Sequence, residues 1–157
     1  MQGRLNPASL APEPYRKQVA METYLAGCGL DPVIKHLVKI RASQINGCAY
    51  CIDMHTKDAR AEGETEQRIY ALSAWRETPF FTDRERAALA WTEAVTLVPQ
   101  GVSDELFETT SEHFPEKELV DLTWAIASIN AWNRIAISFR SVPGEYQSPA
   151  TKHAAAT

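Results

Sequence analysis

The chain has 157 residues, 45% of them hydrophobic and 23% charged, with 20 acidic against 16 basic side chains and a formal charge of −4. That is one domain's length, enough to bury roughly 68–70% of the unfolded surface without disulfide staples, and the composition excludes disordered, collagen-like and low-complexity chains. The acidic balance argues against a nucleic-acid partner, and no run of about 20 apolar residues is present to cross a membrane.

Met1–Pro14 has one Arg and several Pro but no apolar centre of the kind a secretory signal needs, so a cytoplasmic protein is expected. Residues 1–11 read as an irregular arm. A first helix is predicted from about Pro12 to Ala26, stopped at Gly27. Asp31-Pro32 starts a second, with the Asp side chain accepting free backbone N–H groups and Pro in the first turn, where its missing donor does no harm. Asn46-Gly47 ends it, because both residues tolerate a left-handed exit. A third runs from about Cys48 to Glu62 and closes at Gly63. Thr65 starts a fourth, through Ile69, Leu72 and Trp75, that ends before Pro79. Thr82-Asp83-Arg84-Glu85 fits a capping box for a fifth, which continues to Pro99. Ser103 caps a sixth, to about His113, and Pro115-Glu116 opens a seventh, to about Arg140. Residues 145–157 read as a loose tail.

The expected fold is therefore all-α, a single domain over 1–157 with its core at about 13–142 and six to seven helices. The last helix carries Leu119, Leu122, Trp124, Ile126, Ile129, Trp132, Ile135 and Phe139 on more than one face. Such a helix is either a central core element or a subunit interface. Trp75, Trp91, Trp124 and Trp132 read as packing residues and Cys28 as a small buried filler. Lys39, Arg41, Asp53, His113 and His153 read as solvated.

The chemistry concentrates in Gln44-Ile45-Asn46-Gly47-Cys48-Ala49-Tyr50-Cys51-Ile52-Asp53-Met54-His55. Three cysteines are too few for a disulfide scaffold, so the C-x-x-C reads as redox chemistry or metal binding. At about 100° per residue, Cys48, Cys51 and His55 fall within about 60° of one helical stripe. Cys48 sits where unsatisfied N–H groups and the positive helix end favour an anion. The spacing supplies an attacking sulfur, a resolving sulfur and a proton acceptor. Two alternatives stand beside this: a zinc site through Cys48, Cys51, His55 and His36, and a non-catalytic oligomeric scaffold.

At these residues the sequence resembles the AhpD-like alkylhydroperoxidases of the carboxymuconolactone decarboxylase superfamily, through Leu37–His55 and through Ile129-Asn130-Ala131-Trp132-Asn133-Arg134-Ile135. The resemblance covers roughly residues 13–142. It implies an AhpD-like helical bundle assembled as trimers or hexamers. It also implies a peroxidase that reduces organic hydroperoxides at the expense of a thiol reductant and needs no cofactor. Cys51 would attack, Cys48 resolve, and His55 relay protons. The sequence departs from the pattern at two positions. His36 stands where characterised members have a glutamate that orients the relay imidazole, and Tyr50 stands where they have a histidine. Neutral His36 can still pass a proton, whereas Tyr50 donates a hydrogen bond but is a poor base at pH 7. The decarboxylase branch lacks the redox pair, which argues against lactone decarboxylation.

Overall fold

The computed structural model describes residues 2–149. Among these residues the chain forms helices and no strand. The arm expected to be irregular contains one helical turn, α1 (Pro7–Leu10), because Asn6 Oδ1 accepts from the Ala8 and Ser9 amides at 3.0 and 3.3 Å. A side-chain oxygen at the cap and a proline in the first turn suffice to start a helix. After α2 (Pro12–Gly27), α3 (Pro32–Asn46) begins as predicted on Asp31, whose Oδ1 accepts from Val33 N at 2.7 Å. It stops at Gly47, whose φ of 68° any side chain would strain. α4 (Ala49–Ala61) follows at once, with Cys48 as its cap residue.

The predicted fourth helix divides. α5 (Glu66–Ala71) passes into a 3₁₀ segment, Leu72–Glu77, because Ala74 leaves helical space at φ −117°, ψ 31°. Packing around Trp75 accompanies the break: its indole donates to Glu93 Oε1 at 2.9 Å, and the Arg76 and Arg86 guanidinium groups lie over its ring. α6 (Asp83–Thr96) carries the predicted capping box, α7 (Asp104–Ser111) is capped by Ser103, and α8 (Glu116–Phe139) follows Pro115.

α3 is the central element and packs against α4, α6 and α8. One apolar cluster joins α2, α3, α6 and α8 through Leu25, Val38, Trp91 and Ile126, and a second joins α3, α4, the 3₁₀ segment and α6 through Ile40, Ala59, Leu72 and Leu89. Each fully buried Leu or Ile contributes about 1.5–3 kcal/mol. The third cluster contains Ala42, Cys48, Cys51, Ile129 and Ala136, with Tyr50 and Trp132 packed against it, so the cysteine pair is part of the core.

α8 is both a core helix and an apolar outer face. Leu122, Ile126 and Ile129 are fully buried, while Val120 and Trp124 are about half exposed. Three residues expected to be solvated are not. Lys39 pairs with Glu22 at 2.6 Å, Arg41 with Glu93 at 2.8 Å, and Asp53 accepts from Lys57 Nζ at 2.8 Å and Gly144 N at 3.0 Å. Each charged group is only part-exposed and takes a partner instead of water. The first part of the predicted loose tail is pinned to α4, with Ser148 buried. Residues 150–157, His153 among them, lie outside the described residues.

Candidate active site

Gly47 turns the chain so that Cys48 N donates back to Ser43 O at 2.9 Å, and the Cys48 carbonyl accepts the first α4 hydrogen bond, from Ile52, at 3.0 Å. Cys48 thus sits at the positive end of α4 with Cys51 one turn further in. Both are free thiols and buried. Their titrations are bound together. A hydrogen bond from the Cys51 thiol, the backbone amides of Cys51 and Tyr50 and the Asn133 side chain lower the Cys48 pKa to about 7, against the cost of burial. The Cys51 thiol is pushed up by that same hydrogen bond, by burial and by the charge on Cys48. The pair therefore gives up one proton readily and holds the second.

His55, one turn beyond Cys51, is also buried. Burial, together with the charges of Lys39 and His36, lowers its pKa to about 3. The imidazole is therefore neutral at pH 7 and a weak base. A cavity of about 480 Å³ opens onto Cys51, His55 and Tyr50, with Tyr15, Trp132 and Phe139 among its apolar walls. Tyr15 packs edge-on against Trp132, ring centres 5.2 Å apart. Residues Leu5 and Pro7 of the N-terminal arm close another side. A larger open groove, about 1280 Å³, includes Ile52, Thr56 and Lys57 of α4 but neither Cys51 nor His55.

The structure brings four of the five predicted site residues together: Cys48, Cys51, Tyr50 and His55. His36 stands apart from the cavity lining, with Nε2 3.0 Å from Glu62 Oε2 and a buried Nδ1 that has no partner. Among the described residues no group of three or more His, Cys, Asp or Glu side chains is placed to hold a metal ion, so the four-ligand zinc alternative lacks its geometry.

Two residues at the site carry no local sequence signal. Asn133 of α8 is fully buried beside both sulfurs. Its Nδ2 donates to Ser43 Oγ at 3.0 Å and its Oδ1 accepts from Asn46 Nδ2 at 2.8 Å. Glu22 of α2 lines the cavity, and its carboxylate is kept below the usual range, against burial, by Lys39, Ser128 and Trp132. The family-like stretch Ile129–Ile135, which contains Asn133, is the only cue to the first.

The family model for carboxymuconolactone decarboxylase matches residues 12–94. The uncharacterised protein YdfG of Bacillus subtilis (strain 168) is 48% identical over 139 residues, 88% of this chain and 95% of that protein. A crystal structure from Agrobacterium tumefaciens, of a protein of unknown function described as a candidate antioxidant defence protein AhpD, superposes with a TM-score of 0.89. It is 46% identical and covers 92% of this chain and 100% of that one. A peroxidase-related protein from Ralstonia eutropha JMP134, described as an alkylhydroperoxidase AhpD core, shares the fold at a TM-score of 0.78 and 21% identity, covering 88% of this chain and 74% of that one. The chain belongs to the carboxymuconolactone decarboxylase family, as an AhpD-like member.

Proposed function

We propose that this protein is a dithiol peroxidase that reduces organic hydroperoxides, with Cys51 attacking and Cys48 resolving. The observation that carries the reading is the shared cavity: Cys51 and the neutral His55 line one apolar pocket, and Cys48 stands behind them at the helix cap. Pockets of a few hundred Å³ with apolar walls and few polar groups suit small organic ligands.

In this reading Cys48 starts as the thiolate, its proton released to solvent, and Cys51 as the thiol. As the Cys51 sulfur attacks the terminal oxygen of the hydroperoxide, its proton passes to His55, whose low basicity makes it hand that proton straight on. The O–O bond breaks, the leaving alkoxide takes the proton from the imidazolium, and Cys51 is left as a sulfenic acid. The Cys48 thiolate then attacks the Cys51 sulfur. The S–O bond breaks, and the departing hydroxide takes up a solvent proton to become water. Hydroperoxide is reduced to alcohol and the dithiol is oxidised to a disulfide, which an external thiol reductant resets. Tyr50 offers its hydroxyl to a bound oxygen, and Asn133 steadies the sulfur anion. His36, with Nε2 3.0 Å from Glu62 Oε2, stands outside the cavity wall. The same reading makes the protein a cytoplasmic homo-oligomer, trimer or hexamer, for which the half-exposed Val120 and Trp124 of α8 supply apolar surface.

Consumption of cumene hydroperoxide in the presence of dithiothreitol tests the reading. Cys51→Ser is expected to lose turnover by at least about 100-fold, and Cys48→Ser to stop after one equivalent. Turnover of Cys51→Ser at the parent rate would exclude the mechanism.

A further inference from the structure

Residues 48, 51, 55 and 58 are spaced three, four and three apart and follow one stripe along α4 and its cap. Asp58, the next member after His55, places Oδ2 3.9 Å from His55 Nδ1. Its other oxygen, Oδ1, accepts from the Tyr146 hydroxyl at 2.8 Å. Tyr146 belongs to the segment that follows α8. Lys57 Nζ holds that segment by donating to the Tyr146 and Gly144 carbonyls at 3.0 and 3.3 Å, and Gly144 N donates to Asp53 Oδ2 at 3.0 Å.

The other charged groups near His55 are already paired, Lys39 with Glu22 and His36 with Glu62. From α3, Lys39 and His36 oppose a protonated imidazole. From α2, the Glu22 carboxylate lines the same cavity, but its oxygens are committed to Lys39, Ser128 and Trp132. On α4, Cys51 precedes His55 and Asp58 follows it. Asp58 Oδ2 has no donor among the described residues, so it is the carboxylate oxygen left for the imidazole.

We propose that Asp58, held by Tyr146, is the positioning residue for His55. The carboxylate fixes the imidazole proton on Nδ1, which leaves Nε2 to take the Cys51 proton, and it stabilises the imidazolium formed before the alkoxide is protonated. The separation of 3.9 Å closes when the imidazole becomes charged, as such contacts tighten during reaction. The carboxylate that His36 does not supply thus comes from α4 itself, and the segment after α8 is coupled to the site. The catalytic part of this inference rests on the dithiol-peroxidase reading, whereas the tautomer does not.

A double-mutant cycle tests the coupling. Asp58→Asn is expected to slow hydroperoxide reduction about 10- to 100-fold, and by less than two-fold when His55→Gln is already present. Tyr146→Phe is expected to cost less, and nothing further once Asp58→Asn is present. An equal loss in both backgrounds would make Asp58 merely structural and overturn the proposal. The ¹⁵N shifts of the His55 ring read the tautomer without turnover. The proton is expected on Nδ1 in the parent, with that preference lost in Asp58→Asn. If the parent reduces no hydroperoxide but shows this change, the peroxidase reading fails and the positioning stands. An unchanged tautomer in Asp58→Asn overturns the positioning as well.

Discussion

At the scale of single residues, Cys48 and Cys51 share one proton between two sulfurs. Alkylation of the native protein is expected to show one thiol ionising near pH 7, assigned to Cys48, and a second that resists. Asn133→Ala removes a buried donor beside the anion. It is expected to move the alkylation midpoint up by about one pH unit and to cost about 1–3 kcal/mol of stability, because Ser43 and Asn46 lose a buried partner. His55 makes a second, separate prediction. Its pKa falls from 6.5 in the unfolded chain to about 3 in the fold, so between those values the unfolded state binds the extra proton. Stability must therefore fall as pH drops through that window. His55→Gln is expected to flatten the slope of unfolding free energy between pH 6.5 and 5, a range above the titration of ordinary carboxylates. Cys48, Cys51 and His55 were legible because one helix carries all three. Glu22 and Asn133 were not, because each reaches the site from a helix distant in sequence, and only packing brings them there.

At the scale of elements, local chemistry decided most boundaries. Asp31, Thr82 and Ser103 each satisfy free amides at a helix start, and the sequence placed all three. Thr82→Ala is expected to lower the unfolding free energy by about 1 kcal/mol in urea titration, with thiol reactivity unchanged, since α6 contributes no residue to the cysteine cluster. The exceptions have tertiary causes. The break after Ala71 accompanies the burial of Trp75 against Glu93, Arg76 and Arg86, which spacing alone does not reveal. The turn at Pro7–Leu10 is too short to show helical periodicity and rests on its Asn6 cap.

For the whole molecule, helix periodicity was enough to give the all-α class, but not the way the two ends of the chain meet the site. The arm closes one wall of the cysteine cavity and is tied to α8 by Arg4 N donating to Phe139 O at 2.9 Å. The segment at Gly144–Tyr146 crosses the other side of α4. Apart from the single turn α1, both are irregular backbone held by hydrogen bonds, which leave no hydrophobic period to read. The outer face of α8 carries the assembly prediction. In sedimentation the parent is expected as a trimer or hexamer, and Trp124→Glu as smaller species with both motif thiols still titratable. A monomeric parent at micromolar concentration would refute the assembly.

The pairing of Cys48 with Cys51 is tested most directly by intact mass after one equivalent of cumene hydroperoxide. A loss of about 2 Da, confined to the peptide that holds both cysteines and reversed by dithiothreitol, is the predicted result. An unchanged mass with both thiols still titratable, or oxygen retained on either sulfur with no bridge, would contradict it.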